Sequence, residues 1–151
     1  MGLGYPSKLI PAPPGVLTQA DADDRYAPAD RFGAVMAGFI GQVPTNATKY
    51  LYPGGVVATA SATVIKIRIR TARIFHGISI RSSAAPGLAL TDTWTVQKNG
   101  TDTGLVVTLS GAAQVKNDAA ADVSFAAGDD LSIKQVSAAL SGTTDPIVVV
   151  D

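Results

Sequence analysis

Cysteine and glutamate are both absent, and His76 is the single histidine. Without cysteine there can be no disulfide, thiol nucleophile or thiolate metal site. One histidine rules out a multi-histidine metal centre within a chain. With no glutamate, all 12 acids are aspartate, a poor helix former, and this tilts the reading away from a helical protein. Excess charge of one sign is missing too. Twelve Lys and Arg balance the 12 Asp, so no bulk field recruits a polyanion, and nucleic acid is not an expected partner. The most apolar long stretch, Phe32 to Val43, is interrupted by Gly33, Gly38 and Gly41 and is too short to span a bilayer. The opening residues lack the basic-then-apolar order of a signal peptide. No membrane partner is expected.

Catalytic signatures are equally scarce. There is no G-x-S-x-G elbow, Walker loop or H-E-x-x-H pair. Asp21, Asp23 and Asp24 lack the glycine and terminal glutamate of a calcium loop. Asp129 and Asp130 follow Gly128, which reads as a turn. His76 falls in the alternating phase of Ile74, Ile78 and Ile80, which places it toward the core or an interface as a hydrogen-bonded structural residue. The expectation is a chain that is not an enzyme and has no catalytic residue, cofactor or metal.

What is present is organised in two parts. Residues 1–42 read as an extended arm, a short helix and a linker. Five of the nine prolines lie in the first 28 residues, and Pro11, Pro13 and Pro14 favour an extended path without a core of its own. Thr18 with Asp21 three residues later is a weak capping box, and Pro28 ends the helix after about two turns. Such a helix needs a partner surface.

Residues 43–151 switch to period two. Ile65, Ile67 and Ile69 alternate with Lys66, Arg68 and Arg70, and Trp94 and Val96 alternate with Thr93, Thr95 and Gln97. Asn99-Gly100 is a hairpin signal, and Leu105, Val107 and Leu109 follow it in phase. Val123 with Phe125 and Leu131 with Ile133 flank the Gly128 turn, and Ile147 to Val150 close the chain. About seven or eight short strands are predicted, in an all-β fold: an antiparallel β-sandwich or jelly roll.

Charge is segregated along the chain. Residues 41–100 carry seven Lys or Arg and one Asp, a net of +6; residues 101–151 carry two Lys and seven Asp, a net of −5. The simplest account is complementary faces that meet across strands or between subunits. Lys66, Arg68 and Arg70 form a linear cationic ridge without interleaved aromatics for base stacking, and they are read as a salt-bridged or protein-interface stripe.

Two resemblances add to this reading. The run from Thr18 to Ala27, TQADADDRYA, resembles a short segment that recurs near the N-terminal part of tail fibres and other appendages of tailed bacteriophages. There it precedes a trimerising region and a β-rich head. This chain departs from the common form in carrying Asp where a small residue is usual. The runs Tyr50 to Gly55, Trp94 to Thr101 and Phe125 to Ser132 are similar to strands and turns of phage-associated jelly-roll domains. The resemblance implies a structural protein on the virion surface, a homotrimer of capsid-decoration or head-fibre type. Its attachment and assembly residues would be Leu9, Ile10, Val16, Leu17, Asp21, Arg25 and Tyr26, facing the major capsid protein or another virion protein. The alternative it implies is a tail-fibre or baseplate receptor-binding protein. That protein would hold a host glycan on loops around Ser82–Ala89 and Ser137–Thr144.

Overall fold

A computed structural model of the chain describes residues 34–55, 58–59, 66–119 and 121–151. These residues contain twelve strands and no helix. The strands are β1 Val35–Gly38, β2 Thr48–Leu51, β3 Ala58–Thr59, β4 Ile67–Arg68, β5 Arg73–Phe75, β6 Ile78–Arg81, β7 Gly87–Lys98, β8 Thr101–Gly111, β9 Val115–Asp118, β10 Val123–Phe125, β11 Asp130–Ser137 and β12 Ile147–Val150. One sheet has the order β1-β12-β6-β9, and a larger one runs β3-β2-β11-β7-β8, with β4 also on β11. β10 and β5 form a separate ribbon. All pairings are antiparallel. The predicted all-β class holds, and the layered antiparallel architecture is consistent with a β-sandwich.

The alternation of side chains explains where the core lies. Val35, Ala37, Ile78, Ile80, Val148 and Val150 come from the smaller sheet. Leu51, Trp94, Val96, Leu105, Val107, Leu109, Leu131 and Ile133 come from the larger one, and Phe75 and Phe125 from the ribbon. They form one buried cluster, because period two turns every second residue of each strand inward. Phe75 and Phe125 meet edge to face at 5.4 Å between ring centres, a favoured aromatic geometry.

The β7–β8 hairpin shows how local chemistry fixes register. Asn99 and Gly100 both have positive φ, 52° and 83°, the combination a tight two-residue hairpin requires. Lys98 pairs with Thr101 across it. The register then shifts between Thr95 and Gln97. The Thr103 hydroxyl donates to the Val96 carbonyl at 2.7 Å there and accepts from the Leu105 amide at 3.3 Å.

The structure departs from the sequence expectation in three places. The strands outnumber the seven or eight expected: breaks at residues 69–72 and at His76–Gly77 divide the run after Lys66 into β4, β5 and β6, and short strands such as β3 and β9 lie where no alternation was read. A strand, β1, also lies ahead of Val43, where a linker was expected. His76 is not on the core side: its side chain is 65% exposed. Phe75 and Ile78 are both buried although three residues apart, so the alternation slips by one at His76–Gly77. Both of those amides donate to the Asp151 carbonyl, which holds the slip in place.

Candidate functional site

Leu9, Ile10, Val16, Leu17, Asp21, Arg25 and Tyr26, with the predicted arm and helix, lie outside the described residues. The cationic ridge of Lys66, Arg68 and Arg70 lies within them. β4 pairs with the start of β11, Arg68 opposite Asp130 and Ile67 opposite Leu131. Ile69 is buried while Lys66, Arg68 and Arg70 are exposed, so the predicted alternation holds there. The Arg68 guanidinium donates to both Asp130 carboxyl oxygens, from Nε at 2.7 Å and Nη2 at 3.3 Å. Lys66 Nζ lies 3.0 Å from the same carboxyl. Arg68, then Lys66, hold the Asp130 carboxyl below the usual aspartate range. Arg70 makes no ion pair among the described residues.

Next to this triad the Gly128 turn is locked to the Asn99 turn. The Asn99 side-chain amide donates to Asp129 Oδ1 at 2.7 Å, and its carbonyl oxygen accepts from the Asp130 amide at 2.8 Å. The Asp129 carboxyl also accepts the Ala126 amide at 2.7 Å and lies 3.0 Å from Lys98 Nζ. These three donors, Asn99 foremost, bring its pKa down to about 2. The opposite-sign segments therefore meet inside the chain. Lys66, Arg68, His76 and Lys98 from residues 41–100 pair with Asp122, Asp129 and Asp130 from residues 101–151. That accounts for much of the charge segregation without a second subunit.

Asp102, Asp129, Asp130 and Asp145 are all held below their ordinary value of 3.8. For Asp102 the main cause is Lys134, followed by Gln97; for Asp145 it is the Gly41 amide, followed by the Ser83 hydroxyl. Each carboxyl gives up its proton more readily in the folded chain than in the unfolded one. Each therefore contributes stability above the ordinary value and loses it as pH falls through the folded one. The expected result is a melting temperature that is flat from neutral pH to about 5 and falls between about pH 4 and 2. Thermal denaturation across that range checks it. Asp129→Asn should make the acid limb shallower.

The two loops proposed for ligand recognition come together. Gly142 donates its amide to the Pro86 carbonyl at 2.8 Å, and Ser83 donates to Thr144 at 2.9 Å. Neither loop carries a charged residue or an aromatic ring. Leu88, at the start of β7, and Leu140, on the second loop, stand 91% and 81% exposed. Leu140 and Ala89 have positive φ, 65° and 60°, a backbone conformation that costs residues with a Cβ energy.

Beneath these loops lies Asp92, which the sequence reading did not single out, in contact with residues of the second loop. Asp92 on β7 is fully buried, as are Ser141 and Thr143. Asp92 Oδ1 accepts the Ala138 amide at 3.0 Å, and Oδ2 accepts both the Ser141 and Thr143 hydroxyls. The signal was present: Asp92 is two residues before Trp94 and so shares its inward phase. Its partners, about fifty positions away, carry no local mark. The arrangement clasps the loop to the sheet.

Chemically the described residues gather little else. No group of three or more His, Asp or Glu side chains among them is placed to hold a metal ion. His76 Nδ1 pairs with Asp122 at 2.8 Å on the surface. No hydroxyl is paired with that ring among the described residues. No helix among the described residues is long and apolar enough to cross a membrane. No protein-family model and no curated protein matches the chain.

Proposed function

We propose that the chain is a structural protein of a tailed-phage virion. On this reading it is a homotrimer of capsid-decoration or head-fibre type, with a jelly-roll head. It attaches to the particle through its N-terminal arm, with the major capsid protein or another virion protein as its partner at the virion surface. One observation carries the reading furthest. The two turns at the centre of the jelly-roll resemblance, Asn99-Gly100 and Gly128-Asp129-Asp130, are hydrogen-bonded to each other in an antiparallel fold. Two of the three runs that carry the jelly-roll resemblance thus meet at one corner of the fold, and this supports the reading. The Thr18–Ala27 segment supports the trimer, since the two-turn helix its sequence predicts needs a partner surface, its own domain or neighbouring copies, and a trimer supplies the copies. The reading calls for no enzyme activity and no cofactor.

Deleting residues 1–17 tests it. The core described above is built from residues between Val35 and Val150, so the truncated chain is expected to keep the β-rich circular dichroism and cooperative melt of the full chain. It no longer sediments with purified particles. Retained particle binding overturns the role of the arm, and a full-length chain that is a monomer in native mass spectrometry overturns the trimer.

The second reading, a tail-fibre or baseplate protein recognising a host glycan, is favoured by the meeting of the loops 82–89 and 137–144 at one place. It predicts retention of the protein on host-cell polysaccharide, lost when Leu140 and its neighbours are replaced.

A further inference from the structure

A cleft of about 310 Å³ opens beside β4, close to the lower bound of about 300 Å³ for small-molecule sites. Val35, Ile67 and Ile69 give it an apolar lining, and Arg68, Arg70 and Arg73 a cationic one. No acid and no aromatic ring is among the described residues that line it.

Local structure brings the three guanidiniums to one place. The Ile69 amide donates to the Asp129 carbonyl at 2.8 Å, and the Ile69 carbonyl accepts the Gly128 amide at 2.7 Å. These bonds hold the chain extended, with Arg68 and Arg70 on one side of it. A bend at Thr71 then turns the chain so that Arg73, at the start of β5, lines the same cleft. The Arg73 guanidinium sits over the Phe75 ring, 5.6 Å from its centre, a favourable placement for a cation.

The supply of donors selects the ligand. A guanidinium carries five N–H donors. Asp130 takes one from Arg68 Nε and one from Nη2, so that group keeps the rest. Arg70 makes no ion pair among the described residues. These two side chains alone offer more donors than the two oxygens of a carboxylate use. A phosphate monoester ends in three strong acceptor oxygens and carries close to two negative charges near neutral pH. A nucleic-acid strand fits less well, because no ring lines the cleft for a base to stack on.

We propose that this cleft binds a phosphate monoester with a compact apolar body. Arg68 and Arg70 hold the phosphate through the parallel N–H···O bonds that guanidinium groups form. Arg73 adds positive charge, and the body lies against Val35, Ile67 and Ile69. Such a site stands with either reading of the function.

Titrating the full chain with phenyl phosphate tests this, at about pH 7.5, where the monoester is mostly dianionic. Calorimetry gives the affinity and amide chemical shifts give the place. Binding should shift the amides of residues 67–73 and weaken as salt is raised. Inorganic phosphate lacks the body and should bind several-fold more weakly; benzoate lacks the third oxygen and should also bind more weakly. Arg70→Ala should weaken phenyl phosphate roughly tenfold or more. Arg70→Lys should recover only part of that, since an ammonium lacks the planar fork. Arg70 is exposed, so both variants keep the wild-type melting curve. Lys116→Ala removes an exposed cation on β9, outside the cleft, and should leave the affinity unchanged. Equal losses in Arg70→Ala and Lys116→Ala would reduce the binding to bulk charge and overturn the site. Absence of binding, or shifts centred away from residues 67–73, would overturn it too. Benzoate binding as tightly as phenyl phosphate overturns phosphate as the recognised group, and inorganic phosphate doing so overturns the apolar body. A short single-stranded DNA that binds more tightly through the same amides overturns the monoester as ligand.

Discussion

Replacing Asp92 with alanine destabilises the domain by about 3–5 kcal/mol, the range reached when a buried polar network loses its acceptor. Asp92 is fully buried, and three donors converge on it: the Ala138 amide and the Ser141 and Thr143 hydroxyls. Alanine leaves these groups without that acceptor. Each orphaned buried donor costs about 1–3 kcal/mol, reduced where a hydroxyl can turn to another partner. Thr143 and Ser141 retain a contact at 3.2 Å with each other, so the individual costs do not simply add. Asp92→Asn is milder, because one amide oxygen still accepts while the amide nitrogen faces hydroxyls that can rotate to receive it. Urea denaturation measures both, and hydrogen exchange at the Ala138 amide reports the clasp directly. Exchange there should speed up more than at β11 amides in Asp92→Asn. Uniform exchange would mean that the carboxyl supports the whole sheet and not the loop.

The second large effect lies at the centre of the larger sheet. Trp94 and Gln135 face each other across β7 and β11, and both are buried to 1% exposure or less. Trp94→Ala should cost about 3–5 kcal/mol, through lost burial and the cavity it leaves. Gln135 behaves in the opposite sense. Neither its amide oxygen nor its nitrogen has a hydrogen-bond partner, and the Trp94 indole N–H has none. An apolar side chain of similar size removes two unmet polar atoms from the core. Gln135→Leu should therefore raise stability by about 1–2 kcal/mol. A loss of stability in that variant would show that the amide contributes a favourable interaction after all.

The sequence carried the fold wherever alternation ran unbroken. Ile69 inward against Arg68 and Arg70 outward, and Trp94 and Val96 in phase with Leu105, Val107 and Leu109, follow from period two alone. The Asn99-Gly100 hairpin followed from the positive φ that both positions adopt readily. The core side of the His76 expectation failed because Gly77 lets the phase slip, and nothing local says whether a glycine in an alternating run bends or continues it. β1 was missed because its four residues, Val35 to Gly38, sit in a glycine-interrupted run whose pairing with β12 closes a separation of more than a hundred residues. The opposite charges of the two halves were legible, but their pairing within the chain was not. Register is a long-range property, and Asp130 could meet Arg68 only once β4 was set beside β11.

The candidate site was legible in the same uneven way. The loops around 82–89 and 137–144 were candidates in the sequence. Their contact, and the Asp92 clasp beneath them, depend on the tertiary fold. Arg73 lines one surface cleft with Arg68 and Arg70 through a bend at residues 69–72 that no repeat in the sequence announces.

The structural-virion account is tested most directly by adding fluorescently labelled full-length protein to particles stripped of it and imaging where it returns. The account predicts many copies spread over the head, and none when residues 1–17 are removed. Label confined to the tail tip, or undiminished binding without those residues, would contradict it.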